Sequence, residues 1–353
     1  MKIAVAMSGG VDSSVAAHIL KARGHDVFGL TMIVSAGSRD DAVDATACSA
    51  PVRAAERVAR ELGIPHITVD LAGPFDELIV EHFLSEYARG RTPNPCARCN
   101  TLVKLGALLK RASALGACCL ATGHHAIVRE DSSSGLFSLA RGADREKDQT
   151  YFLYGLTQQQ LSRLMTPVGE LTKGEVRATA ERAGLRVAGS RESQDLCFIP
   201  RGGVEAFLRV RRPDALSPGP IVDLGGRAVG RHRGIALYTV GQRSGLGLAR
   251  PRPTYVVRVL ADSNTIVVGG EEDLFASRVT ARDLSWIAGR PPGDSFRAEA
   301  KIRYAAAPAG CTVAVGAGEC EVGFDRPQRA IAPGQAVVFY DGDTVLGGGT
   351  IES

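Results

Sequence analysis

An α/β domain built on a parallel sheet, then a small β-rich domain and a C-terminal β-barrel, is the architecture this chain predicts. Three observations carry it. The first 200 residues alternate short apolar runs with helix-like stretches. Gly and Pro become dense after that point, and the remainder holds short β-rich runs parted by turns.

Residues 3–7 form an apolar run that ends at Gly9-Gly10, which reads as a first strand. Residues 14–22 read as the following helix and 27–34 as a second strand. Residues 52–62 carry Ala, Glu and Arg at helical spacing, and 64–71 form a third strand. Helices over 75–89 and 102–115 follow, then a buried strand over 117–122 that contains Cys118 and Cys119. Strands and helices in strict alternation predict helices on both sheet faces and a ligand at the carboxyl ends of the strands. Beyond residue 200, Arg212-Pro213, Ser217-Pro218-Gly219-Pro220 and Gly225-Gly226 break the chain into turns. The runs 255–260, 265–268, 312–315, 336–340 and 344–346 have the spacing of a small β domain and then a barrel. The expected domains are 1–203, 204–275 and 276–353.

The chain has 353 residues, 44% of them apolar and 23% charged, which excludes wholesale disorder. No stretch approaches the roughly 18 apolar residues of a membrane span. The first residues run straight into Ser8-Gly9-Gly10 without the apolar region of a secretion signal, so a cytoplasmic protein with no membrane partner is expected. In a reducing compartment the 8 cysteines are not a disulfide framework. Cys48, Cys118, Cys119, Cys311 and Cys320 read as core thiols.

A net charge of +4 does not by itself advertise a nucleic-acid partner, but its placement does. Residues 201–258 hold 11 Arg against Glu205, Asp214 and Asp223, whereas 259–353 hold 8 basic and 13 acidic residues. A second basic cluster joins Arg89, Arg91, Arg98, Lys104, Lys110 and Arg111, with Glu86 alone to offset it. Guanidinium groups match phosphate bidentately, so this distribution points to a polyanion.

Three motifs carry chemistry. Ser8-Gly9-Gly10-Val11-Asp12-Ser13-Ser14 lies between the first strand and the first helix. Paired glycines bring backbone N–H groups up to an anion, and the helix start adds its dipole. Ser13 and Ser14 offer hydroxyls, and Asp12 can hold Mg²⁺ against phosphates. The Gly-Lys-Ser/Thr ending of a P-loop and the third glycine of a dinucleotide fingerprint are both missing. The string resembles the pyrophosphate loop of ATP pyrophosphatases, which cleave ATP between its α- and β-phosphates.

In Asn94-Pro95-Cys96-Ala97-Arg98-Cys99, two prolines (Pro93 and Pro95) stiffen the approach to a helix. A helix start and Arg98 favour the thiolates of Cys96 and Cys99. The pair alone is compatible with a zinc half-site, a redox couple or packed thiols. The third motif is Ser193-Gln194-Asp195-Leu196-Cys197-Phe198, where Cys197 read alone is a core residue.

Together these motifs resemble the tRNA-specific 2-thiouridylases, which replace the C2 oxygen of the wobble uridine by sulfur. The resemblance runs the whole length and implies an adenine nucleotide alpha hydrolase-like domain of PP-loop type. It implies that Ala6, Met7, the loop 8–14, Met32 and Gly123 contact ATP. It further implies that Asn94, Pro95 and Cys96 meet the target base. His124, Lys147, Asp148, Gln149, Arg303, Tyr304 and Gln335 are then tRNA contacts. The substrates it implies are the tRNAs for Glu, Gln and Lys, with sulfur supplied by a donor protein or sulfide. In the common form of the family the residue matching Cys99 is the nucleophile and that matching Cys197 carries a persulfide.

This chain departs from that form at Cys96, where Asp is usual. Cys96, Cys99 and Cys197 make a three-thiol set that suits a [4Fe–4S] cluster with one open position. An amide-forming synthetase using the same loop has no need of three cysteines, and a non-catalytic RNA-binding protein has no need of an intact loop.

Overall fold

In the computed structural model of the chain the described residues are 1–34, 45–187, 196–200, 202–248 and 252–353, the side chains of 45–49 excepted. The central strand is β1 (Lys2–Ala6), whose Ile3, Ala4 and Val5 are fully buried. Neighbouring strand residues point to opposite faces, so a strand apolar at every position must be covered on both. Ile3 and Val5 pack with α1 (Val11–Ala22), α2 (Ala45–Leu62) and α8 (Lys173–Arg182) on one face. Ala4 faces a second core that includes Phe75, Ile79, Phe83, Val103 and Leu108.

The strands β2 (Asp26–Ile33), β3 (His66–Asp70), β4 (Cys119–Ala121) and β7 (Leu164–Met165) complete a parallel sheet in the order β3-β2-β1-β4-β7. The expected βα rhythm is therefore observed. The helix expected over 102–115 starts earlier, as α5 (Pro95–Cys99), and continues through π-helical turns over Asn100–Leu108 into α6 (Leu109–Ala114). Widened π turns recur at functional sites. The short α3 (Ala72–Phe75) runs through a second π segment, Asp76–Val80, into α4 (Glu81–Ala88), and α7 (Gln158–Leu161) precedes β7.

The middle of the chain forms a four-stranded sheet from β8 (Gly219–Asp223), β9 (Ala228–His232), β10 (Tyr255–Leu260) and β11 (Thr265–Gly269). Ile221, Tyr238, Val256, Ile266 and Val268 fill its core. The C-terminal strands are β12 (Phe275–Trp286), β13 (Ser295–Lys301), β14 (Ala309–Val315), β15 (Glu319–Arg329), β16 (Ala336–Asp341) and β17 (Thr344–Ile351). Because β12 pairs with both β15 and β17, these six close into a barrel, which removes the open sheet edges.

A hairpin that the sequence did not announce, β5 (Ala126–Glu130) with β6 (Phe137–Arg141), leaves the α/β domain and pairs with β17 at Ala140 and Thr344. The outermost strand of the barrel sheet is thus supplied by the α/β half of the chain.

The cysteine expectations divide. Cys311 and Cys320 are buried in the barrel core. Cys118 is exposed and precedes β4 rather than lying in it, and Cys119 is half-buried. The reason is that β4 begins two residues later than expected, leaving the Cys118 thiol to reach the Lys2 carbonyl at the surface, 3.1 Å away. Cys48 lies outside the described side chains.

Candidate active site

The loop 8–14 leaves the carboxyl end of β1 and opens α1, as its sequence requires. Gly9 has φ +77°, and a Cβ there would lie 2.6 Å from the Ala54 Cβ on α2. Gly123 is equally constrained, since a Cβ would stand 2.5 Å from the Ser13 nitrogen. Glycine at these places lets three backbone segments converge on one point. Met7 ends the strand register, its N–H donating to the Leu30 carbonyl at 2.8 Å and its carbonyl accepting from Thr31 Oγ1 at 2.8 Å. Ala6 closes β1, and Met32 lies on β2 opposite Val69.

Ser13 and Ser14 were expected to offer hydroxyls to phosphate. Instead both donate to the Gly10 carbonyl, at 3.1 and 2.8 Å, because hydroxyls buried in a first helical turn need an acceptor there. The Ser8 N–H points at Ser13 Oγ, 3.3 Å away. These hydroxyls shape the loop.

Asp12 is the exception, for its carboxylate turns outward to an ammonium and an imidazole. Lys173 Nζ, at the start of α8, donates to both oxygens at 2.7 Å. His125 Nε2 lies 3.2 Å from Oδ1. Burial of Asp12 opposes its ionisation, but the bonds from His125 and Lys173 outweigh burial and hold the carboxyl below its usual range. Neither partner was singled out from the sequence. A signal was present for Lys173, because the Thr172/Glu175 capping box marks a helix start, where a cation opposes the helix dipole.

The cysteine loop is held from three sides. Asn94 caps α5, its Oδ1 accepting from the Ala97 N–H at 3.2 Å, and Pro95 occupies the first helical turn. The Thr92 N–H donates to the Pro333 carbonyl at 2.8 Å. Arg91 pairs with Glu86 at 2.7 Å and with Glu352 at 2.8 Å, tying the loop to the end of the barrel. Cys96 is exposed and Cys99 buried. Cys197 is exposed too, next to Phe198, which packs edge-on against Phe75, Phe83 and Phe207. The core expectation for Cys197 is therefore corrected: its neighbour is the anchor.

The thiolate-favouring expectation also fails. Desolvation raises all three thiols, Cys99 to about 11. Arg98 gives no relief, because its Nε is turned to the Leu78 carbonyl at 2.6 Å. The opposing positive charge comes from Lys104, which all three thiols feel. Cys96 and Cys99 also each feel Cys197. One neighbourhood therefore holds Cys96, Cys99, Cys197 and Lys104. Lys104 acts on His124 as well, which burial drives down to about 3 and keeps neutral. The next residue, His125, reaches Asp12 at 3.2 Å and its backbone is held by Gln149, while Asn100, next to Cys99, donates to the Phe152 carbonyl at 3.0 Å, so the segment 149–152 touches both the cysteine helix and the residue beside Asp12.

Among the described residues no three His, Cys, Asp or Glu side chains converge to hold a single metal ion. A [4Fe–4S] cluster asks for something different, because each thiolate binds its own iron. Three cysteines are the donor type such a cluster takes, and Cys96 and Cys197 are exposed.

The expected tRNA contacts are placed unevenly. Tyr304 is exposed and packs on Phe152 with ring centres 4.7 Å apart and the rings tilted by 34°. Lys147 is half-buried. Asp148 is buried, accepting from the Thr150 N–H at 3.2 Å and its hydroxyl at 2.8 Å. Gln149 pairs with the His125 backbone, its Oε1 accepting at 3.0 Å and its N–H donating at 3.0 Å. Arg303 bonds the Arg329 carbonyl. Gln335 bonds the Thr92 and Pro93 carbonyls. No helix among the described residues is long and apolar enough to cross a membrane.

Comparison with known proteins places the whole length of the chain. Residues 1–201 match the family described as tRNA methyl transferase HUP domain, 205–270 the tRNA methyl transferase PRC-barrel domain, and 276–351 the aminomethyltransferase beta-barrel domain. The tRNA-specific 2-thiouridylase MnmA of Symbiobacterium thermophilum is 46% identical over 99% of this chain and 92% of its own length. The proteins of the same name from Roseiflexus sp. and Geobacter metallireducens are 47% and 48% identical over 99% and 100% of this chain, and over 99% and 97% of their own lengths. The chain belongs to the tRNA-specific 2-thiouridylase family.

Proposed function

We propose that this protein converts the wobble uridine of tRNA to 2-thiouridine in two chemical steps at one cleft. In the first, the loop 8–14 binds ATP, and the C2 oxygen of the extruded uracil attacks the α-phosphate, releasing pyrophosphate. Extrusion is required because C2 cannot be reached within a stacked anticodon loop. In the second, sulfur displaces AMP from C2. What supports this is that Lys104 bears on the three thiols and on His124, while the adjoining His125 reaches Asp12 at 3.2 Å. Both steps act on one carbon, so the nucleotide loop and the sulfur groups must be neighbours.

Asp12 is the residue that would hold Mg²⁺, and it must then exchange part of its contact with Lys173. The backbone N–H groups of the loop meet the phosphates, with the α1 dipole behind them. Asn94, Pro95 and Cys96 meet the base. Cys96, Cys99 and Cys197 would hold a [4Fe–4S] cluster, which supplies a Lewis-acidic iron for sulfide. His124, fixed by Thr122 Oγ1 at 2.9 Å, stands between the centres as a neutral imidazole.

The exposure of Cys197 favours a second reading, because a sulfur-donor protein must reach the thiol it loads. In that version Cys197 carries a persulfide and Cys99 completes the transfer. Anaerobic purification with iron analysis and Mössbauer spectroscopy separates the two. Bound iron lost in Cys96→Ala together with thiolation supports the cluster. An iron-free protein whose Cys96→Ala variant still thiolates establishes the persulfide route.

A further inference from the structure

We infer that Lys173 is a catalytic residue of the adenylation step, the cation that receives the pyrophosphate leaving group. This rests on the reading that the loop 8–14 binds ATP. Lys173 is the first residue of α8, and Asp12 is the second of α1. The starts of two helices therefore meet where Lys173 Nζ and Asp12 lie 2.7 Å apart. Each start carries about half a positive charge. His125 Nε2 also faces this point, 3.2 Å from Asp12.

Asp12 thus faces the start of α1, the Lys173 ammonium and the His125 imidazole, while the start of α8 is already met by Asp144 and by Glu175 of the capping box. The Lys173 ammonium and the start of α1 are the groups a phosphate would meet there. In the structure Asp12 is the side-chain carboxylate that the Lys173 ammonium meets. Once Asp12 turns to a nucleotide-bound Mg²⁺, the ammonium is released toward phosphate. Little else has to move. The Lys173 N–H is held by Asp144 Oδ2 at 2.9 Å, and the Thr172/Glu175 capping box fixes the turn. The side chain is only 11% exposed, so water competes weakly for it.

In the step itself the uracil O2–Pα bond forms while the bond from Pα to the bridging oxygen breaks. That electron pair leaves on pyrophosphate, and the N3 proton of the base passes to solvent. Lys173 donates a hydrogen bond to the oxygen that gains charge, with no change in its own protonation.

The test compares wild type with Lys173→Gln and Lys173→Arg, following tRNA-stimulated pyrophosphate release and calorimetric titration with inorganic pyrophosphate. Lys173→Gln is expected to lower kcat about 100-fold, with KM for ATP changed less than about threefold, as for loss of a donor to developing charge. Its affinity for pyrophosphate should fall about tenfold, and Lys173→Arg, which keeps the charge, should recover most of both losses. A Gln variant within threefold of wild-type kcat, or one that binds pyrophosphate as tightly as wild type, overturns the assignment. A wild-type protein releasing no pyrophosphate overturns the adenylation reading instead. The calorimetric arm needs no turnover and still decides on Lys173.

Discussion

The side-chain amide of Gln335, in the barrel, donates to the carbonyl of Thr92 at 2.9 Å and to that of Pro93 at 3.3 Å, in the loop that carries Cys96. Both bonds cross from the last domain of the chain to the first. Together with the Thr92–Pro333 backbone bond and the Arg91–Glu352 pair, they make the barrel a clamp on the loop that leads to Cys96.

Removing the clamp should affect chemistry more than binding. Gln335→Ala deletes two bonds worth about 1 kcal/mol each, which loosens the loop without removing a phosphate contact. Single-turnover thiolation should slow about tenfold, while tRNA affinity changes less than about threefold, because misplacement of a reacting group lowers rate before affinity. Filter binding and rapid-quench thiolation check this. A direct tRNA contact would shift affinity instead.

The thiols should be sluggish nucleophiles in the resting protein. A thiolate is the charged form, so desolvation delays its appearance to higher pH. Iodoacetamide labelling of Cys99 should keep rising with pH and show no plateau below about pH 10, given a thiol pushed up to about 11. Cys96 and Cys197, which are exposed, should label before it. Lys104→Gln removes the charge that opposes the shift at all three, so labelling should slow further. Mass spectrometry of labelled peptides gives the order.

Asp12 should titrate low, and its partner should be the cause. Its folded-state value lies below the usual 3.8, so the stabilisation of the ion pair is complete above that value and lost as pH falls through the depressed one. Carbon-detected NMR of the labelled carboxyl should place the midpoint below 3.8 in wild type and higher in Lys173→Gln. Asp12→Ala should abolish pyrophosphate release and leave tRNA affinity within about twofold, since Asp12 makes no positive contact with RNA phosphate.

The Arg-rich middle segment divides into struts and free charges. Arg211 bridges to Asp76 at 2.9 Å and to Glu81 at 2.7 Å, joining α9 (Gly203–Arg211) to the α/β domain. Arg209 pairs with Glu205, and Arg212 with Asp214. Arg231, Arg243 and Arg258 are exposed and make no ion pair among the described residues. Neutralising these three should reduce the salt dependence of tRNA binding by roughly one unit of slope for each phosphate they meet. Arg211→Gln should lower the melting temperature by a few degrees instead, with the slope unchanged. Binding titrations across salt, with thermal melts, separate the classes.

How far the sequence could be read follows from what each segment must satisfy. Strands buried on both faces, such as β1 and β2, announce themselves as continuous apolar runs. So does the loop 8–14, because glycine pairs and a helix start leave local traces. β15 leaves a fainter one, with Cys320, Val322 and Phe324 facing inward between exposed Glu321 and half-buried Glu319 and Gly323. Its interleaved charges hide it from a search for apolar runs. The β5–β6 hairpin leaves none, because its place is set by β17, some 200 residues away. The same holds at the site. Lys173 and Asp12 are 161 residues apart and meet only through the sheet order. Charge counting overstated the phosphate-facing surface, because a sum cannot show that Arg211 is committed to Asp76 and Glu81.

The most direct test of the central claim follows pyrophosphate, AMP and 2-thiouridine together, with purified protein, ATP, Mg²⁺, a sulfur source and tRNA bearing an unmodified wobble uridine. The account predicts one pyrophosphate and one AMP per 2-thiouridine formed, with all three lost in Asp12→Ala. In Cys99→Ala and Cys197→Ser, pyrophosphate release should persist for a single turnover while 2-thiouridine disappears. Thiolation without pyrophosphate, or pyrophosphate release indifferent to tRNA, would contradict it.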